Sequence, residues 1–184
     1  MPTPADDARR QLPQIAVTAA VVVLAGLAVT DWYIRNIELH NVVLTAEDAD
    51  DAIDHWHTAR REIAASLPSA HYLTDEHRRR GERLIRREAT ASARSLTETT
   101  AGMETITVRL PWHHGIIRAR NRYREHVSAW IARLRGLARD PARLDESPPT
   151  IAATRAASEE AFRAALPPAA LYDLDERISA LFAR

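Results

Sequence analysis

Residues 15–30 read IAVTAAVVVLAGLAVT, sixteen positions without one charged side chain. With Pro13 before it and Trp32 and Tyr33 after it, the apolar stretch forms about 30 Å of helix, the thickness of a bilayer core. Because a lone segment in lipid must satisfy its own backbone hydrogen bonds, the sequence predicts a transmembrane helix over residues 13–34. Trp32 and Tyr33 are predicted at the membrane interface, since their amphipathic rings favour the headgroup level.

Two other interpretations of this stretch stay open. A buried helix of a soluble protein would need a larger core than the polar remainder of the chain offers. A cleaved signal peptide would use Arg9 and Arg10 as its basic region and residues 26–28 as its cleavage site. The apolar run continues past that site into Val29, which favours a retained signal-anchor.

The charges on either side of the stretch predict its orientation. Arg9 and Arg10 precede it in a short tail over residues 1–12, whereas only Arg35 falls between the span and residue 59. The positive-inside rule therefore predicts a single-pass protein of the cell membrane, with a cytoplasmic N-terminus and an extracytoplasmic soluble domain.

Composition limits the rest of the chain to one domain beside the anchor. The 184 residues contain 25 basic side chains, all of them Arg, and no Cys, which excludes disulfides and thiolate chemistry. The exclusive use of Arg indicates a GC-rich, bacterial genome. Charge is uneven: residues 1–59 carry nine acids and three Arg, residues 60–143 nine acids and 18 Arg, and residues 144–184 seven acids and four Arg.

The pattern of apolar residues after the anchor is helical throughout. We expect the first helix to run to about residue 44, and Thr45, with Asp48 in the capping-box position, to start a second that Pro68 ends. Thr74 is the next predicted N-cap, and Gly81 and residues 99–102 are weak points in its helix.

Proline punctuates the C-terminal part of the chain. Pro111 predicts a stop before the clearest amphipathic segment of the chain, which extends to residue 137. Residues 140–150 contain three Pro and predict a linker, and Thr150 caps a helix that Pro167 closes before a last helix.

Together these elements predict an all-α fold: a single N-terminal transmembrane helix followed by a small antiparallel helical bundle. The bundle covers residues 35–139, and residues 151–184 form a C-terminal helical hairpin that packs on it.

A basic segment at residues 78–87, RRRGERLIRR, is the candidate anion or partner patch. It could bind phosphate, lipid headgroups or an acidic polymer. Pairing with the acidic run of residues 47–54, or plain solvation, is the favoured alternative. The patch consists of Arg78, Arg79, Arg80, Arg83, Arg86 and Arg87.

The acidic run is followed by His55 and His57, and Asp51 shares a helix face with His55, the spacing that lets two side chains reach one cation. No calcium-loop glycine and no HExxH pattern accompanies them, so we predict no metal site. A solvated first helical turn explains the acids.

Two further motifs carry no predicted chemistry. The alternating Arg residues of RARNRYR, at positions 118–124, spread over more than one helix face, and nucleic acid is not a predicted partner. Trp112, His113 and His114 follow Pro111, and a buried Trp at a turn is favoured over a ligand edge or a membrane-proximal contact.

The sequence thus predicts a non-enzymatic protein without cofactor, metal or catalytic residues. We expect a membrane-anchored interaction or structural protein, such as an accessory subunit or scaffold of the cell envelope. Its expected partners are the lipid bilayer and other membrane or envelope proteins or further copies of itself. An anchored sensory or anion-binding domain is the alternative, and a metal-dependent enzyme ranks behind both.

Overall fold

The computed structural model describes residues 4–68, 74–146 and 148–183, with side chains from residue 16 onward, and this part of the chain is helical without any strand. It contains five α-helices and a 3-10 helix at Pro141–Asp145. The α-helices are α1 (Pro4–Ser66), α2 (Asp75–Thr105), α3 (His114–Arg139), α4 (Pro149–Ala165) and α5 (Leu174–Ala183). The all-α prediction is confirmed. Residues 1–3 of the predicted tail and the side chains of Arg9 and Arg10, on which the predicted orientation rests, lie outside the described part.

Helix α1 is one uninterrupted element of 63 residues, about 95 Å long. The predicted boundary at Thr45 is therefore wrong. The Thr45 hydroxyl donates to the carbonyl of Asn41 at 3.1 Å, a bond within the helix, where a capping residue would accept from the backbone ahead of it. The neighbouring Val42 and Ala46 are fully buried, and this packing outweighs the local capping signal.

The N-terminal part of α1 is long and apolar enough to cross a membrane. None of its most apolar window is buried by the rest of the described chain. Farther along, from residue 36 on, the helix acquires a buried stripe at the helical period, and this stripe contacts α2, α3 and α5. Its apolar members are Leu39, Val42, Val43, Ala46, Ala49, Ile53, Trp56 and Ile63.

Helix α2 returns along α1 in the opposite direction. Its predicted N-cap is confirmed: the Thr74 hydroxyl accepts from the His77 backbone N–H at 3.3 Å. The predicted weak points do not break it. Gly81 leaves room for Leu67 near the end of α1, and Gly102 lies beside Thr45, so the two helices are packed along their lengths.

Helix α3 supplies the centre of the core. Tyr123 is buried, and its hydroxyl donates to the carbonyl of Ala46 at 2.8 Å, which joins α3 to α1. Its ring lies edge-on to Phe162 of α4 at a centroid distance of 5.9 Å. Burial raises the pKa of Tyr123 above its ordinary value, with a smaller contribution from the charge of Asp50.

The predicted linker at residues 140–150 is more ordered than its three Pro suggest. It contains the 3-10 helix, and the Arg133 guanidinium donates to the carbonyls of Arg143, Leu144 and Glu146. Helix α4 then begins at Pro149 with Pro148 as its N-cap, so the predicted cap at Thr150 is wrong. A proline at the first helical position loses no hydrogen bond and has the φ angle that a helix needs.

Candidate functional site

A cluster of buried polar contacts lies where the apolar part of α1 ends. His113, in the loop between α2 and α3, is 4% exposed. Its Nδ1 lies 2.6 Å from Glu38 Oε2 and its Nε2 lies 3.2 Å from Asp31 Oδ1. Both ring nitrogens therefore face carboxylates, and only the doubly protonated ring can donate to both. These two contacts tie the loop to α1 at two levels of the helix.

Further hydrogen bonds complete this attachment. The other Glu38 oxygen accepts from the backbone N–H of Arg109 at 2.6 Å. The indole N–H of Trp112 donates to Asp31 Oδ1 at 2.7 Å. Glu38 is only 4% exposed, and a buried carboxylate is tolerated when such donors replace its water.

The loop between α4 and α5 attaches to the same stretch of α1. The indole N–H of Trp32 donates to the carbonyl of Pro168 at 2.8 Å. Asn36 is buried, and its Oδ1 accepts from the backbone N–H of Leu171 at 2.7 Å, while its Nδ2 donates back to the carbonyl of Trp32. Arg35 also donates to the carbonyl of Ala165. We call the contacts of these two loops with residues 31–40 of α1 the junction.

The α4–α5 loop has a strained backbone. The loop contains three residues with a left-handed backbone conformation, which costs free energy for every residue except glycine. Ala169, Tyr172 and Asp173 have φ angles of 52°, 60° and 52°. The strained loop holds Tyr172 outward, where its ring stacks on His40 at 4.6 Å. A hydrogen bond with Tyr33 raises the pKa of Tyr172, and burial adds to the shift.

A charged contact between α5 and α1 lies at the end of the junction and extends two helical turns beyond it, to Glu47. Arg177 of α5 donates to both carboxylate oxygens of Glu47 and, at 2.8 Å, to Nδ1 of His40. Its hydrogen bonds with Glu47 raise the pKa of Arg177. Partial burial, followed by the positive charge of Arg177, lowers the pKa of His40, which therefore accepts as a neutral ring.

The structure brings the two predicted interface residues together with two aromatic residues from distant parts of the sequence. Trp32 and Tyr33 lie on α1, Trp112 is bonded to Asp31, and Tyr172 is bonded to Tyr33. Three separate chain segments thus present aromatic rings beside residues 31–40 of α1.

The expectation for Trp112 and His113 is reversed. Trp112, predicted as a buried residue at a turn, is 60% exposed, and the adjacent His113 is the buried one. The two carboxylates give both ring nitrogens of His113 a partner, so the ring can be buried, and the larger Trp112 ring is left on the surface.

The basic segment at residues 78–87 is not placed against the acidic run. Its six Arg side chains are exposed, and the ion pairs of Arg78 and Arg87 are with the adjacent Asp75 and Glu88. Because Gly81 lies beside Leu67 and α2 runs antiparallel to α1, even Arg87, at the near end of the segment, is about 10 Å along the helix axis from Asp54. The exposed Arg side chains agree with plain solvation rather than with pairing across the two helices.

The acidic run does not converge on a cation site. His55 is exposed, while His57 turns inward and meets Trp130 edge-on at 5.3 Å. Burial lowers the pKa of His57. Within the described ranges, no group of three or more His, Asp or Glu side chains is arranged to hold a metal ion.

The alternating Arg residues of α3 make separate contacts. Arg120 donates to the carbonyl of Ile106, which satisfies the C-terminal end of α2. Arg122 pairs with Glu125 on its own helix, and Arg124 pairs with Glu104 of α2. Arg120 and Arg124 thus connect α3 to α2, whereas Arg122 pairs within α3, so the three side chains do not act on one common surface.

No protein-family model, no curated protein and no solved structure matches this chain. Its function must therefore be inferred from the apolar part of α1 and the junction beside it.

The residues that reasoning from sequence missed are Glu38, Asn36 and Tyr172. Glu38 and Asn36 interrupt the apolar stripe that contains Leu39, and polar residues at such positions signal buried partners. Those partners, His113 and Leu171, are 75 and 135 positions away, so no local pattern points to them.

Proposed function

We propose that this chain is a membrane-anchored structural or interaction protein, in which a bilayer-spanning helix carries a small antiparallel helical bundle. One observation carries the proposal: seven Val and Leu side chains in the apolar part of α1 are 60–66% exposed. Transferring them from water to lipid is favourable by on the order of 10 kcal/mol. They are Val17, Val21, Val22, Val23, Leu24, Leu27 and Val29.

The anchor is tested by placing charge at its centre. Val22→Arg combined with Val23→Arg should cost roughly 5–7 kcal/mol of insertion free energy. We expect wild-type protein in the membrane pellet after alkaline carbonate extraction and the double variant in the supernatant. Thr58→Arg, an exposed site on the same helix, should stay in the pellet. Wild-type protein in the supernatant would contradict the anchor.

The proposed topology has a cytoplasmic N-terminus and an extracytoplasmic bundle. It is tested with C-terminal fusions to two reporters, one active only in the cytoplasm and one only outside it. We expect activity from the second reporter. Activity from the first would reverse the orientation and leave the anchor in place.

The interaction role is supported by two adjoining grooves of about 530 and 380 Å³ between α2 and α3. Ala93, Thr97, Ala101 and Ala132 line them, together with Arg side chains. Small residues let a second helix approach the backbone closely, so we propose that a helix of another membrane or envelope protein docks here.

Two matched variants test the docking groove. Ala101→Trp fills the groove, while Ala152→Trp adds the same bulk at an exposed position on α4. In mild-detergent pull-downs at near-native expression, we expect one partner to be lost with Ala101→Trp and retained with Ala152→Trp. Recovery of the chain alone, or equal recovery of every partner with both variants, would contradict the docking role.

Anion binding is the second candidate, because Arg94, Arg135 and Arg139 line the larger groove beside a single acid, Glu98. Guanidinium groups bind phosphate and carboxylate through paired hydrogen bonds. Calorimetric titration of the full chain with inorganic phosphate should give binding that Arg135→Gln removes and Arg78→Gln, in the predicted basic patch, retains. No heat of binding would exclude phosphate as a ligand.

A further inference from the structure

We infer that the α2–α3 and α4–α5 loops form a second membrane contact, with Trp112 and Tyr172 at the headgroup level beside the anchor helix. The partner of this surface is the lipid bilayer interface, and the inference rests on the proposed anchor. Its first support is the level at which the loops are held. Trp112 is bonded to Asp31, the first charged residue after the apolar stretch.

Because α1 is continuous, this contact determines how deep the two loops lie relative to the bilayer. If residues 13–34 span the bilayer core, Asp31 lies about one helical turn inside its outer boundary, and the headgroup layer of about 6 Å covers roughly the four residues that follow the span. Because α1 has no break between the apolar part and the junction, loops bonded to residues 31–40 cannot lie far from the lipid. This holds for either orientation of the chain.

The exposed side chains at this level suit a bilayer interface. Trp112 is 60% exposed and Tyr172 is 43% exposed, beside Tyr33 at 48%. Indole and phenol rings combine apolar area with a polar group and are enriched where hydrocarbon meets headgroups. Trp112 is held in this exposed position by its bond to Asp31 and by the edge-on ring of His113.

The backbone of the α4–α5 loop is a third, independent support. Its three left-handed residues are held in place by the bonds from Trp32 and Asn36 of α1. Strained backbone persists where the surrounding structure fixes it, and it is concentrated at functional surfaces. The strained loop places Tyr172 on the surface, with its ring stacked on His40 of α1.

Single-cysteine spin labelling tests the inference, because the chain has no native Cys. Pro111→Cys and Ala169→Cys place labels on exposed positions of the two loops and keep both aromatic rings. Ala152→Cys, at the far end of α4, is the matched exposed control, and Val23→Cys marks the bilayer core. The full chain is reconstituted in phosphatidylcholine vesicles, and each label's accessibility to oxygen and to a water-soluble nickel complex is measured.

We expect the labels at 111 and 169 at headgroup depth, between the label at 23 in hydrocarbon and the label at 152 in water. If the loop labels match the label at 152 while the label at 23 is in lipid, the inference fails and the anchor stands. A label at 23 in water overturns both. Loop labels shielded from both reagents, with spin–spin broadening that disappears on dilution with unlabelled chain, would place a second copy there and overturn the lipid contact.

Discussion

At the scale of single residues, His126 shows how burial selects a protonation state. It lies buried on α3, with Nδ1 3.1 Å from Thr154 Oγ1. The Thr154 hydroxyl donates to the carbonyl of Thr150 at 2.8 Å, so it accepts from a neutral His126 ring protonated at Nδ1. Burial, followed by the positive charge of Arg155, lowers the pKa of His126 to about 4.

This lowered pKa predicts a loss of stability in acid. The unfolded chain, with an ordinary histidine pKa of about 6.5, binds a proton at a higher pH than the folded chain does. The contribution of His126 is therefore present above pH ~6.5 and is lost as the pH falls towards ~4, by up to about 3 kcal/mol. Urea unfolding at pH 7.5 and 4.5 should show a larger loss for wild type than for His126→Asn, which keeps a donor and does not titrate. Equal losses would contradict the prediction.

The residue scale also marks a limit of sequence reasoning. Trp32 and Tyr33 could be placed at the end of the apolar stretch because their position depends only on distance along one helix. The burial of His113 and the exposure of Trp112 could not be predicted from the sequence, because they depend on contacts with Glu38 and Asp31, about 80 positions away. Contacts between distant segments are set by packing, which a local pattern does not encode.

At the scale of helices, tertiary packing overrides local signals in both directions. Thr45 is a good N-cap candidate inside a continuous helix, whereas Pro148 caps α4 without a side-chain hydrogen bond. The stop signals at Pro68, Pro111 and Pro167 fall in the connections between helices, since a proline in a helix interior loses a hydrogen bond and clashes with the preceding turn. Helix ends marked by proline can therefore be predicted from the sequence, whereas a predicted N-cap is overridden when core packing favours a continuous helix.

Gly136 offers a test of intrinsic helix stability. It lies within α3, and a Cβ added there would have no heavy atom within 4 Å. Gly136→Ala should raise the free energy of unfolding by about 0.5–1 kcal/mol, because alanine loses less backbone entropy in a helix. Gly81→Ala in α2 is the matched comparison: its Cβ would lie 3.0 Å from Leu67 Cδ1, so Leu67 must move and the gain should be smaller. Urea midpoints of both variants measure the difference, and a larger gain at Gly81 would contradict it.

At the scale of the whole molecule, the unbroken α1 joins the helical part to the apolar segment. The other helices contact one another and α1 beyond residue 31, and both loops of the junction are bonded to the helix itself. A helix boundary at residues 44 and 45, as the sequence analysis predicted, would allow this part to tilt relative to the apolar segment. Because the helix is continuous through residues 44 and 45, the distance between the other helices and the apolar segment is fixed.

A distance measurement distinguishes these two arrangements. Leu24→Cys and Thr58→Cys are exposed sites on α1, separated by 34 residues, or about 51 Å of helix. In lipid vesicles, pulsed electron–electron double resonance between two spin labels should give one narrow distribution of distances near that length. Leu44→Pro, which removes a helical hydrogen bond at an exposed position, should shorten and broaden it. A wild-type distribution as broad as that of Leu44→Pro would mean that α1 bends at this point, and the fixed depth of the two loops would be lost with it.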